Sequence, residues 1–211
     1  FIGAICYTLV GAEWKCITSD SNVGMWWPVC VEFENELHHV NGTSHYILNG
    51  TEWVLKSTFP YKFGAGVLLV YNDELHALGG TKNGYEHYKW NGVEWIEVST
   101  MLNTLNAGCG VVYNNEIHIL GGNGHGTTHY KWDGSTWSTD VNLPFNTTYI
   151  SAMTHDNLIY LVRGGKVYTF DGTKWSLTLT CDSTTASLGA FLNDELYLFD
   201  YGVASGNGYK Y

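Results

Sequence analysis

Tyr88-Lys-Trp-Asn-Gly-Val-Glu-Trp95 returns as Tyr130-Lys-Trp-Asp-Gly-Ser-Thr-Trp137. Weaker copies run from Tyr7 to Trp14, Tyr46 to Trp53 and Tyr168 to Trp175, and a truncated copy stands at Tyr209-Lys210-Tyr211. The steps between the closing Trp residues are 39, 42, 42 and 38 positions. A second element keeps the same rhythm: Asn35-Glu-Leu-His38, Asn72-Asp-Glu-Leu-His76, Asn114-Asn-Glu-Ile-His118, Asp156-Asn-Leu-Ile-Tyr160 and Asn193-Asp-Glu-Leu-Tyr197. Two elements recurring in register mark a repeat architecture with one supersecondary unit per period.

Each unit reads as four short strands. In the copy around Trp95, Val67–Tyr71 is an almost continuous apolar run, as expected of a strand buried on both faces. Asn72-Asp73 makes a turn into Glu74–Leu78, and Gly79-Gly80 opens a polar loop. Strands 87–90 and 93–98 then flank Asn91-Gly92. Read as a two-residue type I′ turn, Asn91-Gly92 pairs Tyr88 with Trp95, and by analogy Tyr130 with Trp137. A four-stranded unit of this length cannot bury both its faces alone. Stacked radially, such units bury each other, so the expected fold is an all-β propeller of four-stranded antiparallel blades. A β-sandwich would not account for the fixed period.

Leu78-Gly79-Gly80 with Tyr88 and Trp95, and Leu120-Gly121-Gly122 with Tyr130 and Trp137, resemble the kelch-repeat family of β-propellers. The six-residue gap also holds for Tyr7/Trp14, Tyr46/Trp53 and Tyr168/Trp175. The outer copies depart from the pattern: Asn41-Gly42, Arg163-Gly164 and Asp200-Tyr201 stand where the family has its diglycine. The resemblance implies one propeller domain over 1–211. Third and fourth strands lie in 1–16, complete blades at 25–56, 64–98, 106–139 and 149–178, and a partial blade at 185–211, about five blades in all. Such rings often have six or seven, so the chain is also readable as part of a larger ring. Phe1 reads as a cut point in a longer chain or as a matured end.

Composition narrows the function. Apolar residues make up 45%, enough for a packed core rather than a disordered tail. With 20 acidic against 10 basic residues, a net charge of −10 excludes a phosphate-tracking nucleic-acid binder. No apolar run approaches the ~18 residues of a membrane-spanning helix. Nine Trp, 15 Tyr and 25 Gly against three Pro favour strands and tight turns. The five Cys leave at least one unpaired and show no Cys-x-x-Cys spacing. Asn41-Gly-Thr, Asn49-Gly-Thr and Asn146-Thr-Thr are formal glycosylation acceptors.

His38, His76 and His118 occupy one repeating position, and His45, His87 and His129 another. Residues that repeat with the blades are expected to pack or bond rather than to bind ligand. His125 does not repeat and lies near His129, but two His without a third ligand make a loop rather than a metal centre. Asp133-Gly-Ser-Thr-Trp137 is one residue too short for the Asp-box of sialidase-type propellers and reads as a hairpin turn. Glu36, Glu74, Glu116 and Glu195 recur beside the first turn as solvent-facing neighbours, and no isolated acid pair suggests a glycosidase. Arg163 is the only Arg, too few for a sialidase's multi-Arg carboxylate clamp.

By subtraction the expectation is a non-catalytic recognition module with no catalytic residue, metal or cofactor. It would bind a glycan or protein partner on the face where second-to-third-strand and blade-to-blade loops emerge. Candidate ligand-binding residues are Trp26, Trp27, Tyr61, Phe63, Asn106, Tyr149 and Arg163, because aromatic faces flanked by amides suit sugar rings. The composition resembles secreted adhesins and bacteriophage tail propellers. That implies an extracellular or virion-surface location, membership of a larger chain or assembly, and no membrane insertion. The alternative is a kelch-type carbohydrate-modifying enzyme, sialic-acid-mutarotase-like or galactose-oxidase-like, using Arg163 with His125 or His129.

Overall fold

A computed structural model describes residues 4–10, 13–20, 29–80, 84–146, 150–182, 186–200 and 208–210. All regular elements among them are antiparallel β-strands, so no helix there is long and apolar enough to cross a membrane. The chain divides into two compact units, Phe1–Asn106 and Ala107–Tyr211.

In the first unit, β1 (Ala4–Val10) pairs with β2 (Glu13–Asp20). The next sheet is β3 (Val29–Phe33), β4 (Glu36–Asn49) and β5 (Glu52–Phe63). A four-stranded meander follows, of β6 (Val67–Tyr71), β7 (Glu74–Leu78), β8 (Glu86–Trp90) and β9 (Trp95–Thr100). Strand β4 is itself a hairpin. His38 and His45 bond through ring nitrogens 2.8 Å apart, whereas seven residues of straight strand would separate them by about 23 Å. The reversal falls at Gly42, where φ is +57°, so this sheet also makes four passes.

The second unit holds two more four-stranded meanders. One is β10 (Cys109–Tyr113), β11 (Glu116–Leu120), β12 (His129–Trp132) and β13 (Trp137–Thr139). The other is β14 (Ser151–His155), β15 (Leu158–Arg163), β16 (Lys166–Phe170) and β17 (Trp175–Thr180). The last sheet is β18 (Ala186–Leu192), β19 (Glu195–Asp200) and β20 (Gly208–Lys210). First strands of successive sheets lie against each other, β3 on β6 in one unit, β10 on β14 and β14 on β18 in the other. That arrangement is what makes each sheet a propeller blade. The chain is an all-β propeller of kelch-like antiparallel blades, about five of them.

Cores sit between blades. Val40, Phe59, Tyr61 and Phe63 pack on Leu68, Leu75, Trp90 and Trp95 of the next blade. Val111, Tyr113 and Leu120 meet Ile159, Leu161 and Phe170 in the same way. Each fully buried Leu, Ile or Phe stabilises the stack by about 1.5–3 kcal/mol. Turns between first and second strands are two-residue and left-handed, with positive φ at Asn72 and Asp73, Asn114 and Asn115, and Asp156 and Asn157, as a type I′ hairpin requires.

The turn before each closing Trp is different, and it corrects the expected aromatic pairing. Trp90 pairs with Trp95 and Trp132 with Trp137, while Tyr88 faces Glu97 and Tyr130 faces Thr139. The cause is a side-chain cap. Asn91 Oδ1 accepts from the Val93 and Glu94 amides at 2.9 and 2.8 Å, holding a four-residue loop open. Asp133 does the same for the Ser135 and Thr136 amides, both at 2.8 Å. These Asx turns advance the register by two residues.

Candidate functional site

The repeating histidines form buried dyads. His38 to His45, His76 to His87 and His118 to His129 are each 2.8 Å apart through a ring nitrogen of each. The second His then reaches Ser57 Oγ at 3.0 Å, Ser99 Oγ at 2.9 Å and the Val141 carbonyl at 3.1 Å, respectively. Burial drives His45 and His87 down to about 3, and His76 and His118 to about 4, so all four are neutral near pH 7. Lys89–Glu74 and Lys131–Glu116 ion pairs, at 2.6 and 3.0 Å, run beside the second and third dyads. Three of the recurrent glutamates, Glu36 (with Lys56), Glu74 and Glu116, are therefore paired with lysines rather than merely solvent-facing, and Glu195 accepts from the Tyr197 hydroxyl at 3.1 Å. His125 caps its own loop instead: its carbonyl accepts from the Thr128 amide at 3.0 Å.

The loop face differs from blade to blade. In the β6–β9 blade the connection from Leu78 to Glu86 arches over the blade end. The Gly80 amide donates to the Leu105 carbonyl at 2.9 Å, and Leu105 donates back to Gly84 at 2.7 Å. Gly79 lies at φ +70° against Leu105, whose carbonyl would sit 2.5 Å from any Cβ added there, which is why the diglycine is needed. In the β14–β17 blade the same connection shrinks to Gly164-Gly165, both with positive φ. Arg163 and Lys166 then become directly opposed cross-strand partners.

Where the arch is missing, a cavity of about 260 Å³ opens, lined by Phe145, Arg163, Gly164, Lys166 and Tyr168. Phe145, from the blade-to-blade connection, packs on Tyr168 with centroids 4.6 Å apart. The cavity joins two cations to an aromatic wall in a chain of net charge −10. That composition is chemically complementary to an anion carried on an apolar ring face. A second cavity of similar volume, lined by Tyr85, Glu86, Glu97 and Thr100, carries two carboxylates and suits no anion.

The residues expected to bind ligand do not converge. Trp26, Trp27 and Tyr149 lie outside the described residues. Tyr61 and Phe63 belong to the core: they are 5% and 2% exposed, and the Tyr61 hydroxyl donates to the Gly79 carbonyl at 2.7 Å. Their expected place on an open loop face is corrected by that burial. Asn106 is half-buried at the end of the first unit, and Arg163 is exposed at the cavity. Lys166, Tyr168 and Phe145 were missed by sequence reasoning. Treating Arg163-Gly164 as a replaced diglycine hides that Gly164-Gly165 is itself a two-residue turn placing Lys166 opposite Arg163.

No protein-family model matches the chain, and no curated protein matches it in sequence. Its fold is similar to a solved structure titled "Structure of YjhT", with a TM-score of 0.74 at 13% sequence identity, covering 87% of this chain and 74% of that one. YjhT is a kelch-type sialic-acid mutarotase, an enzyme, and this overturns the expectation of a protein that is not an enzyme. That expectation rested on subtraction: one Arg, no metal motif and no isolated acid pair. Such an inventory does not exclude catalysis on this fold. At that identity the likeness establishes the propeller architecture shared by the two chains.

Proposed function

We propose that the protein is a kelch-type carbohydrate-modifying enzyme acting on an acidic sugar, with the Arg163 cavity as its site. The observation that carries this reading is the cross-strand Arg163–Lys166 pair lining one cavity with Phe145 and Tyr168. A guanidinium forks onto a carboxylate through two parallel hydrogen bonds, and the lysine adds a point charge. The Phe145–Tyr168 wall supports the apolar face of a pyranose. At about 260 Å³ the cavity falls near the small end of ligand pockets, the size of one sugar ring rather than a chain.

Mutarotation fits this inventory best. The anomeric hydroxyl loses a proton, the ring C–O bond breaks, and the ring oxygen takes a proton up. Reclosure on the other face reverses these steps. The reaction needs an anchor for the carboxylate and groups able to carry a proton. The Tyr168 hydroxyl and the Lys166 ammonium are the proton-bearing groups of the cavity wall. The fold shared with YjhT supports the reading. Proton NMR of freshly released α-anomer of N-acetylneuraminic acid tests it. The protein is expected to speed anomeric equilibration above buffer, and Arg163→Ala to remove most of that gain. An equilibration rate equal to buffer overturns the proposal.

A further inference from the structure

We infer that His118, His129 and Asp140 form a divalent transition-metal site of the zinc type, peculiar to the β10–β13 blade. One ligand atom from each of the three lies within 4.8 Å of the others. Both histidines are 1% exposed, and the Asp140 side chain, 14% exposed, is the approach from solvent. The inference goes beyond the sugar reading and does not depend on it.

The argument rests on where the ring protons must be. The Val141 carbonyl can only accept, so His129 carries its proton on Nδ1 and leaves Nε2 bare. His118 Nδ1 lies 2.8 Å from that bare nitrogen. If neutral His118 donates through Nδ1, its own Nε2 is left without a proton. That atom is buried with no hydrogen-bond partner, and the Glu116 carboxylate, another acceptor, lies 3.8 Å away. If the proton sits on Nε2 instead, towards Glu116, two lone pairs face each other across the dyad. Neither neutral arrangement satisfies both rings.

The His38–His45 dyad of the first unit escapes this conflict. His45 Nδ1 receives the Trp95 indole N–H at 3.3 Å and lies 3.0 Å from the Ser57 hydroxyl, so His45 donates through Nε2 to His38. In the β10–β13 blade the corresponding indole, of Trp175, is spent on the Val141 carbonyl at 3.3 Å. Four residues after the closing Trp, where the other dyads have Ser57 and Ser99, stands Val141, and its carbonyl takes the place of their hydroxyls against the second His. Asp140 stands one residue earlier, where those blades have Lys56 and Val98. Among the described dyads, this one thus has a carbonyl that can only accept where the others have a hydroxyl that can also donate, and a carboxylate beside it.

A cation between the rings resolves it. His118 Nδ1 and His129 Nε2 become ligands. Their outer nitrogens keep protons directed at Glu116 and at the Val141 carbonyl, the carboxylate and carbonyl supports that metal-bound histidines characteristically have. Asp140 Oδ1 is held by the Val141 amide at 2.7 Å, and Oδ2 lies 3.8 Å from Lys131 Nζ, leaving its lone pairs for the metal. Tetrahedral geometry requires the ring nitrogens to be about 3.3 Å apart, an opening of roughly half an ångström from 2.8 Å. Two imidazoles and a carboxylate favour Zn²⁺ or Co²⁺ over hard cations. A water entering beside Asp140 completes four-coordination.

Cobalt titration of the full chain, stripped with chelator and kept reduced, tests the site. One Co²⁺ per chain is expected, with the visible bands of a four-coordinate nitrogen–oxygen site and no near-ultraviolet thiolate band. Asp140→Val installs the residue of the β6–β9 blade, Val98, so folding is expected to survive. Asp140→Asn keeps the shape and the Val141 contact without the charge. Both should weaken cobalt binding at least 100-fold, and the thermal upshift given by Zn²⁺ should vanish with them. No metal uptake by the parent, parent-like affinity in both variants, or a thiolate band overturns the inference.

Discussion

The Trp95 indole donates to His45 Nδ1 at 3.3 Å, tying the closing strand of one blade to the dyad of the blade before it. The same ring meets Phe59 at a centroid distance of 4.9 Å. One side chain therefore supplies both apolar contact and the proton that fixes the tautomer of a buried imidazole. Trp95→Ala is expected to destabilise by about 3–5 kcal/mol, and Trp95→Phe by about 1–2 kcal/mol, mostly the lost donor. Urea melts of the two variants check this. A Trp95→Phe melt matching the parent would show that the indole proton does nothing for stability.

Trp137 has the equivalent place in the repeat but is only half-buried, whereas Trp95 is 6% exposed. Trp137→Ala should therefore cost less than Trp95→Ala, nearer 1–3 kcal/mol. The urea midpoints of the two variants rank them directly, and equal losses would contradict the difference in burial.

The sequence period was sufficient to read four strands per blade, because apolar spacing and turn residues act locally. The first-to-second-strand turns at Asn72-Asp73 and its relatives were legible for the same reason. The pairing of Tyr88 was not. It depends on whether Asn91 forms a two-residue turn or uses its side chain to cap a four-residue one, and both begin with the same Asn-Gly. The site was less legible still. Arg163 stood out by being alone of its kind, but its partner Lys166 is assigned by a turn that this blade has shortened. Tyr61 and Phe63 looked like loop aromatics because β5 continues to Phe63, past the length of its counterparts, and carries them into the core.

Stability should fall in acid, with a definite sign. His76 and His87 titrate near 4 and 3 in the native state because burial disfavours their charged forms. Unfolded, they return to about 6.5. Between these values the unfolded chain binds more protons, so stability rises with pH. The contribution is complete above pH 6.5 and is lost progressively as pH falls towards 4 and 3. Melting temperatures should be level from pH 8 to 7 and drop steadily from 6.5 to 5, before most carboxylates titrate. A level profile down to pH 5 would mean that the dyads accept protons without cost.

Gly79→Ala should weaken the whole loop face of its blade. Its φ of +70° strains any L side chain, and the added Cβ would lie 2.5 Å from the Leu105 carbonyl and 2.6 Å from Leu105 Cβ. The backbone must move, at a cost of roughly 1–3 kcal/mol. Gly92→Ala shares the strain, at φ +93°, but meets nothing within 4 Å, so its loss should be the smaller. Calorimetric comparison of the two separates strain from collision, and a Gly92 variant as unstable as the Gly79 variant would assign the effect to strain alone.

Recognition at the Arg163 cavity should depend on charge and on geometry separately. A charge-assisted hydrogen bond is worth about 1.5–3 kcal/mol, so Arg163→Ala should weaken binding of an acidic sugar by roughly 10- to 150-fold. Arg163→Lys keeps the charge but loses the fork and should recover only part of that affinity. Lys166, across the hairpin from Arg163, contributes a point charge, so Lys166→Ala should cost less and lose its effect at high salt, where exposed charges are screened. Tyr168→Ala removes the ring that packs at a tilt on Phe145 and should weaken acidic and carboxyl-reduced sugars alike, because that wall reads the ring face and not the charge. Calorimetric titration of these variants with the acid and its reduced counterpart separates the two contributions. Equal affinity of the parent for both sugars would mean that the opposed cations do not read the carboxylate, and the cavity would then have no claim to an acidic ligand.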